Sequence, residues 1–117
     1  MELIVALSTG KGTWGQVSKL IADMEWTKII LNTNNFGKEN YTCTKPAEMI
    51  VLDDHAPLED MRDALIKELK TKVEGSEVAV NFISGSGKEH MALMGALLKS
   101  GLSFRFYASM KDGTKEL

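Results

Sequence analysis

The most constraining feature of this sequence is a set of five short apolar runs separated by stretches with helical periodicity. The runs are Leu3 to Leu7, Ile29 to Leu31, Met49 to Leu52, Val78 to Ile83 and Phe104 to Tyr107; three of the five have no polar interruption, and Asn81 and Arg105 break the other two. Uninterrupted runs of this length suit strands buried on both faces, as in a parallel sheet covered by helices. Three helical patterns lie between them. The first carries Trp14, Val17, Leu20, Ile21 and Met24 at three- and four-residue steps, an amphipathic stripe facing a sheet. For the second, Asp54 is the expected cap, Pro57 suits the first turn and Gly75 stops the helix. Glu59 and Asp60 sit at its positive end and Lys67, Lys70 and Lys72 at its negative end. The third runs from about Gly87 to Ser100, with no polar residue from Met91 to Leu98 and Gly101 as its stop. Such a helix is expected to be covered on more than one side, either by a second subunit in a homodimer or simply as the best-covered helix of a monomer.

Alternation of this kind predicts an α/β fold, a three-layer Rossmann-like arrangement around a mostly parallel five-stranded sheet. Right-handed crossovers give the order 3-2-1-4-5. The segment from Thr33 to Ala47 shows no helical stripe and reads as a long loop. It barely supplies the residues of a parallel crossover, which leaves the direction of the third strand undecided. Residues 1–117 read as one domain.

Charge and cysteine content narrow the function. Sixteen acids against 14 bases give a formal charge of −2, which argues against general binding to duplex nucleic acid. A single cysteine, Cys43, excludes an internal disulfide and a cysteine-based zinc site. With no histidine paired to it, Cys43 is not read as a nucleophile. The first apolar run is too short for a signal or a membrane helix, so the expected location is cytoplasmic and no membrane partner is expected.

In doubly wound sheets the ligand lies at the carboxyl ends of the strands, where strand order reverses. Here that point falls between strands one and four. Both are followed by glycine-rich, hydroxyl-rich loops with a lysine, Ser8-Thr9-Gly10-Lys11-Gly12-Thr13-Trp14-Gly15 and Ser84-Gly85-Ser86-Gly87-Lys88-Glu89-His90. Each opens a helix, whose free backbone N–H groups favour an anion, and glycine lets a ligand approach the backbone closely. Tight turns after strands would explain one such loop. Two at the switch point predict a phosphate-binding site.

Gly10 to Gly15 matches G-x-G-x-x-G literally, yet strand two ends in Asn32, Thr33 and Asn34, without the acid that grips a ribose diol in NAD sites. A Walker A loop is rejected, because Phe82 stands where its first glycine belongs and Glu89 follows Lys88 where Ser or Thr must hold magnesium. No cofactor is implied. Asp53-Asp54-His55 contains metal-ligating types, but capping by Asp54 explains it and no metal is expected. Asn32, Asn34 and Asn35 stand where amides could read a base or simply make turns. His90 is a candidate acid or base at the ligand, or a surface histidine. Trp14 could stack on a base but better suits the core, Trp26 packs, and Lys11 is either a phosphate ligand or a solvated lysine.

The stretch from Val78 to Lys88, with its Ser84-Gly85-Ser86-Gly87-Lys88 turn and following apolar helix, resembles the strand-four signature of CARF domains, the CRISPR-associated Rossmann-fold sensors. The Ser8-Thr9-Gly10 turn is similar to that family's other motif, and Asp53-Asp54 echoes its layout. The resemblance implies binding of a cyclic oligoadenylate or related nucleotide across a homodimer crevice. In some members it also implies slow, metal-independent cleavage of the ring. By similarity Ser8, Thr9 and Lys88 would act in cleavage. Gly10, Lys11, Gly12, Thr13, Asn32, Ser84, Gly85, Ser86, Gly87 and His90 are the expected ligand contacts. The elements account for nearly all of the chain, so a stand-alone ring nuclease or a partner-dependent sensor is implied. A non-catalytic subunit with the same fold and a mononucleotide-binding Rossmann-type enzyme are the alternatives.

Overall fold

The computed structural model describes residues 1–117 and contains one six-stranded sheet in the order β3-β2-β1-β4-β5-β6. Its strands are β1 (Glu2–Ala6), β2 (Lys28–Thr33), β3 (Glu48–Val51), β4 (Glu77–Asn81), β5 (Ser103–Met110) and β6 (Gly113–Glu116). The helices are α1 (Trp14–Asp23), α2 (Asn35–Asn40), α3 (Leu58–Lys72) and α4 (Gly87–Lys99). β1 to β5 are mutually parallel, and β6 returns antiparallel to β5. The α/β class, the Rossmann-like layering and the order 3-2-1-4-5 stand, with a sixth strand added.

Alternation along each strand sorts the apolar residues into two cores. Leu3, Val5, Leu7, Ile29, Leu31 and Ala79 face α1, whose Val17, Leu20 and Ile21 meet them. Ile4, Ile30, Ile50, Val78 and Val80 face the other way, onto Met61, Leu65 and Leu69 of α3 and Leu93, Ala96 and Leu97 of α4. Every residue of β1 is buried, which is why its sequence reads as an unbroken apolar run. Each fully buried Leu or Ile stabilises the fold by about 1.5–3 kcal/mol, so β1 and its neighbours dominate stability. At the amino end of β1, the buried Glu2 carboxylate accepts hydrogen bonds from the Glu74 and Gly75 amides at 3.0 and 2.6 Å. These bonds satisfy its charge and fasten the turn into β4.

Several expectations change. The segment from Thr33 to Ala47 holds α2, and β3 pairs with β2 in parallel. α2 has no apolar stripe because it is one short piece, capped by Asn34, whose Oδ1 accepts from the Gly37 amide at 2.9 Å. Its Gly37 is required by space: a Cβ there would lie 1.9 Å from the Thr33 hydroxyl and 3.1 Å from Leu7 Cδ2. Pro57, not Asp54, precedes the first turn of α3. The β4 run ends at Asn81, leaving Ile83 exposed in the loop. The β5 run is only half-buried, since β5 is covered less fully than the central strands. The sixth strand begins at Gly113, where φ is +122°, and Arg105 of β5 pairs with Glu77 of β4 on one side and Glu116 of β6 on the other. Met91 and Leu98 of α4 are about two-thirds exposed, so within one chain α4 is not covered on its second side. No helix is long and apolar enough to cross a membrane.

Candidate functional site

Because β1 to β4 run parallel, the loops leaving their carboxyl ends share one edge of the sheet. The loop after β1 is open. Gly10 takes φ +98°, Lys11–Thr13 form a single 3-10 turn, and α1 then begins with no side chain capping it. A Cβ placed at Gly10 or Gly12 would meet nothing within 4 Å. The Trp14 amide is taken up by the Lys11 carbonyl within that turn, while no side chain stands over the exposed Gly10, Lys11 and Gly12, and backbone amides with clear space above them are what an incoming anion needs. Trp14 anchors the loop from below, its Nε1 donating to the Ser8 carbonyl at 2.9 Å and its ring packed edge-on against Tyr41. Lys11 stays exposed, its ammonium 5.8 Å from the Trp14 ring centre and 5.6 Å from that of Phe36, a cation–π contact.

The loop after β4 is closed on itself. Gly85 takes φ +104°, and Ser86 caps α4 in a reciprocal box with Glu89: Ser86 Oγ accepts from the Glu89 amide, and Glu89 Oε1 accepts from the Ser86 amide. Ser8 Oγ donates to the same Glu89 oxygen at 2.9 Å, and the Ser8 amide donates to Ser84 Oγ at 3.3 Å. Ser8 and Ser84 are each 2% exposed. His90 Nε2 lies 2.7 Å from the Ser84 carbonyl, an acceptor, so that nitrogen carries the proton. Its ring stacks on Phe82 at 5.2 Å. The two loops therefore do meet between β1 and β4, where Glu89 holds the Ser8 hydroxyl and the Ser8 amide donates to the Ser84 hydroxyl. His90 is a brace of this loop, half-buried against Phe82.

The open space at this edge lies one step over, above β1, β2 and β3. A cavity of about 490 Å³ is lined by Thr9, Asn34, Phe36, Asp53, Asp54 and His55, among others. Asn34 is the keystone, only 3% exposed. Besides capping α2, its Nδ2 donates to Thr9 Oγ1 at 3.2 Å and to Asp54 Oδ2 at 3.0 Å. One amide thereby fixes the ends of β1, β2 and β3 relative to each other. Asp53 Oδ1 accepts from the His55 amide at 2.9 Å, an Asx turn that explains part of the Asp53-Asp54-His55 cluster. No three His, Cys, Asp or Glu side chains converge as a metal site. Asn35 lines the cavity rim, whereas Asn32 is buried in β2 between Ala6 and Ile50.

Lys88 reaches from the start of α4 to the Asp54 carbonyl at 3.1 Å. This exposed side chain ties the start of α4 to the loop between β3 and α3. Gly87 beside it is exposed, and Thr13 is half-buried at the entrance to α1. Cys43 and Tyr41 sit behind the β1 loop. Burial pushes the Tyr41 phenol above its ordinary 10.0, the hydrogen bond with Ser18 works in the opposite direction, and nearby Cys43 raises it further. Trp26 packs edge-on against Tyr107 and donates to the Leu20 carbonyl.

Sequence reasoning found the loops but missed the cavity, because α2 supplies Phe36 and Asn34 from a segment read as loop. The available signal was Asn34 with Gly37 three residues on, an N-cap followed by a close-packed glycine. No protein-family model matches this chain, and no curated protein matches it.

Proposed function

We propose that this chain is a nucleotide-binding domain whose ligand phosphate rests on the open loop after β1. The carrying observation is the contrast between an uncapped α1 with exposed Gly10, Lys11 and Gly12, and an α4 whose N-terminus is satisfied by its own capping box. An anion on the β1 loop gains the exposed backbone from Gly10 to Gly12 and the Lys11 charge. At α4 it would have to displace the carboxylate of Glu89. A cyclic oligoadenylate or related nucleotide is the ligand that the resemblance to CARF domains favours.

Binding is better supported than cleavage. Attack of a ring's own 2′-OH on phosphorus would need groups to take its proton and to steady the charged phosphorane. Ser8 Oγ is buried and donates to Glu89, and Lys88 rests on the Asp54 carbonyl. Of the three expected catalytic residues only Thr9 lines the cavity above β1 to β3. Titration calorimetry with cyclic tetra- and hexaadenylate tests the reading. Saturable heat with one of them supports it, and no heat with either, in folded protein, removes the cyclic ligand.

Pairing of two copies is a second element of this proposal. Phe82, His90, Met91, Met94, Gly95 and Leu98 line an apolar groove of about 500 Å³ along α4, the uncovered side of the helix that reads as apolar throughout. Exposed methionine and leucine of this kind mark an interaction surface. Sedimentation of wild-type protein and of Leu98→Glu tests it: a dimer that dissociates on substitution supports pairing here, and a monomeric wild-type chain refutes it.

A further inference from the structure

The cavity above β1 to β3 has a chemistry that the phosphate site does not explain. We propose that it holds the nucleoside half of the ligand, with the ring stacked on Phe36 and its hydrogen-bond donors turned to Asp53 and Asp54. The phosphate then lies outside, at Lys11. This inference rests on the nucleotide reading and specifies how one chain holds the rest of the molecule.

Three observations carry it. The first is polarity. Asp53 and Asp54 line the cavity, and ionised carboxylates only accept hydrogen bonds. They repel a phosphate and suit ribose hydroxyls or an exocyclic amine. The second is the aromatic ring. Phe36 is 39% exposed, an apolar surface left partly in water, and its ring is supported by Trp14 at 5.8 Å. A ring so held is a stacking platform for a base once the Lys11 ammonium, which lies over it, swings aside to the phosphate. The third is the position of charge. The Lys11 ammonium lies 5.6 Å from the Phe36 ring centre, so a base on Phe36 puts its own phosphate within reach of the lysine and of the uncapped start of α1. A volume of about 490 Å³ fits a ligand of nucleoside size, and a lone phosphate would leave most of it to water. Asn34, fully engaged with Gly37, Thr9 and Asp54, is the rigid wall and not a reader of the base.

The test is calorimetric titration of wild type, Phe36→Leu and Lys11→Gln with adenosine, adenosine 5′-monophosphate and ribose 5-phosphate. Phe36→Leu keeps an apolar side chain against Trp14 and removes the π-face, and its melting temperature verifies the fold. It should weaken adenosine and its monophosphate by about tenfold or more while leaving ribose 5-phosphate within about twofold. Lys11→Gln should weaken both phosphates and spare adenosine. Adenosine that fails to bind wild type, or binds Phe36→Leu equally well, overturns the pocket. The two readings fail separately. Cyclic tetraadenylate bound equally by wild type and Phe36→Leu would refute the pocket alone. Adenosine bound through Phe36, with no phosphate-dependent gain in any ligand, would refute the phosphate site alone.

Discussion

The two glycine loops at the carboxyl edge look alike in sequence and do opposite things in the structure. Both turn on a glycine with strongly positive φ, +98° at Gly10 and +104° at Gly85, and both lead into a helix. After β4, side chains from the first turn of α4 close the loop: Glu89 holds the Ser86 amide and the Ser8 hydroxyl, and His90 holds the Ser84 carbonyl. After β1 the helix opens on Trp14 and Gly15, and no side chain caps it. A loop that satisfies its own backbone is a structural joint. A loop that no side chain caps leaves the space above its backbone clear. The difference lies in the side chains beyond the glycines, not in the glycines themselves.

The sharpest way to break this comparison is to open the closed loop. Glu89→Ala removes the capping-box carboxylate and leaves the buried Ser8 hydroxyl without its acceptor. It should lower unfolding free energy by about 2 kcal/mol, read as a shift of the urea midpoint at unchanged slope. Stability within about 0.3 kcal/mol of wild type would mean the loop is not held this way. Next in size is the pair of glycine substitutions. Gly10→Ala and Gly85→Ala should each cost roughly 1–2 kcal/mol through backbone strain. Gly85→Ala should cost more, since its Cβ would lie 3.1 Å from His90 Nε2 whereas that of Gly10 meets nothing within 4 Å. Equal losses in the two melts would erase the distinction.

Smaller still is an effect of pH from behind the open loop. Tyr41 has its phenol raised by burial, so the neutral form is favoured in the folded state. The stability this brings is present below the unfolded value of about 10 and is lost as pH rises through the folded one. Tyr41→Phe should therefore flatten the alkaline fall in stability measured by denaturant titration between about pH 9 and 11. An undiminished fall would assign it to other groups. The smallest expected change is Gly12→Ala, with open space around the new methyl. It should leave the unfolding free energy within about 0.5 kcal/mol of wild type while weakening ligand binding, because a side chain would then stand over the exposed amides.

The same contrast explains what was legible in the sequence. The central strands were, because Leu3 to Leu7 and Val78 to Val80 are buried on both faces and so carry no polar residue. The sixth strand was not, since Gly113, Thr114, Lys115 and Glu116 lie at the sheet edge and hold their place through backbone pairing with β5. α2 was hidden for a related reason: its stability comes from the Asn34 cap and the close seat of Gly37 on β2, neither of which leaves an apolar period. At the site, the glycines, hydroxyls and lysines announced two turns at one edge. Which turn was free depended on pairings between residues about 80 positions apart, such as Ser8 with Glu89, and no local pattern encodes those. Asp54, read as a helix cap, instead faces a cavity beside Asp53, because Pro57 took the position before α3.

The central claim, that the ligand phosphate sits on the β1 loop and not on the β4 loop, is tested most directly by mapping backbone amide chemical shifts. Isotope-labelled protein would be titrated with adenosine 5′-monophosphate and then with cyclic tetraadenylate. The account predicts saturable shifts at the amides of Gly10, Lys11, Gly12 and Thr13, with Ser86, Gly87, Lys88 and Glu89 nearly still. Largest shifts at Ser86 to Glu89, or none at Gly10 to Thr13 with either ligand, would contradict it.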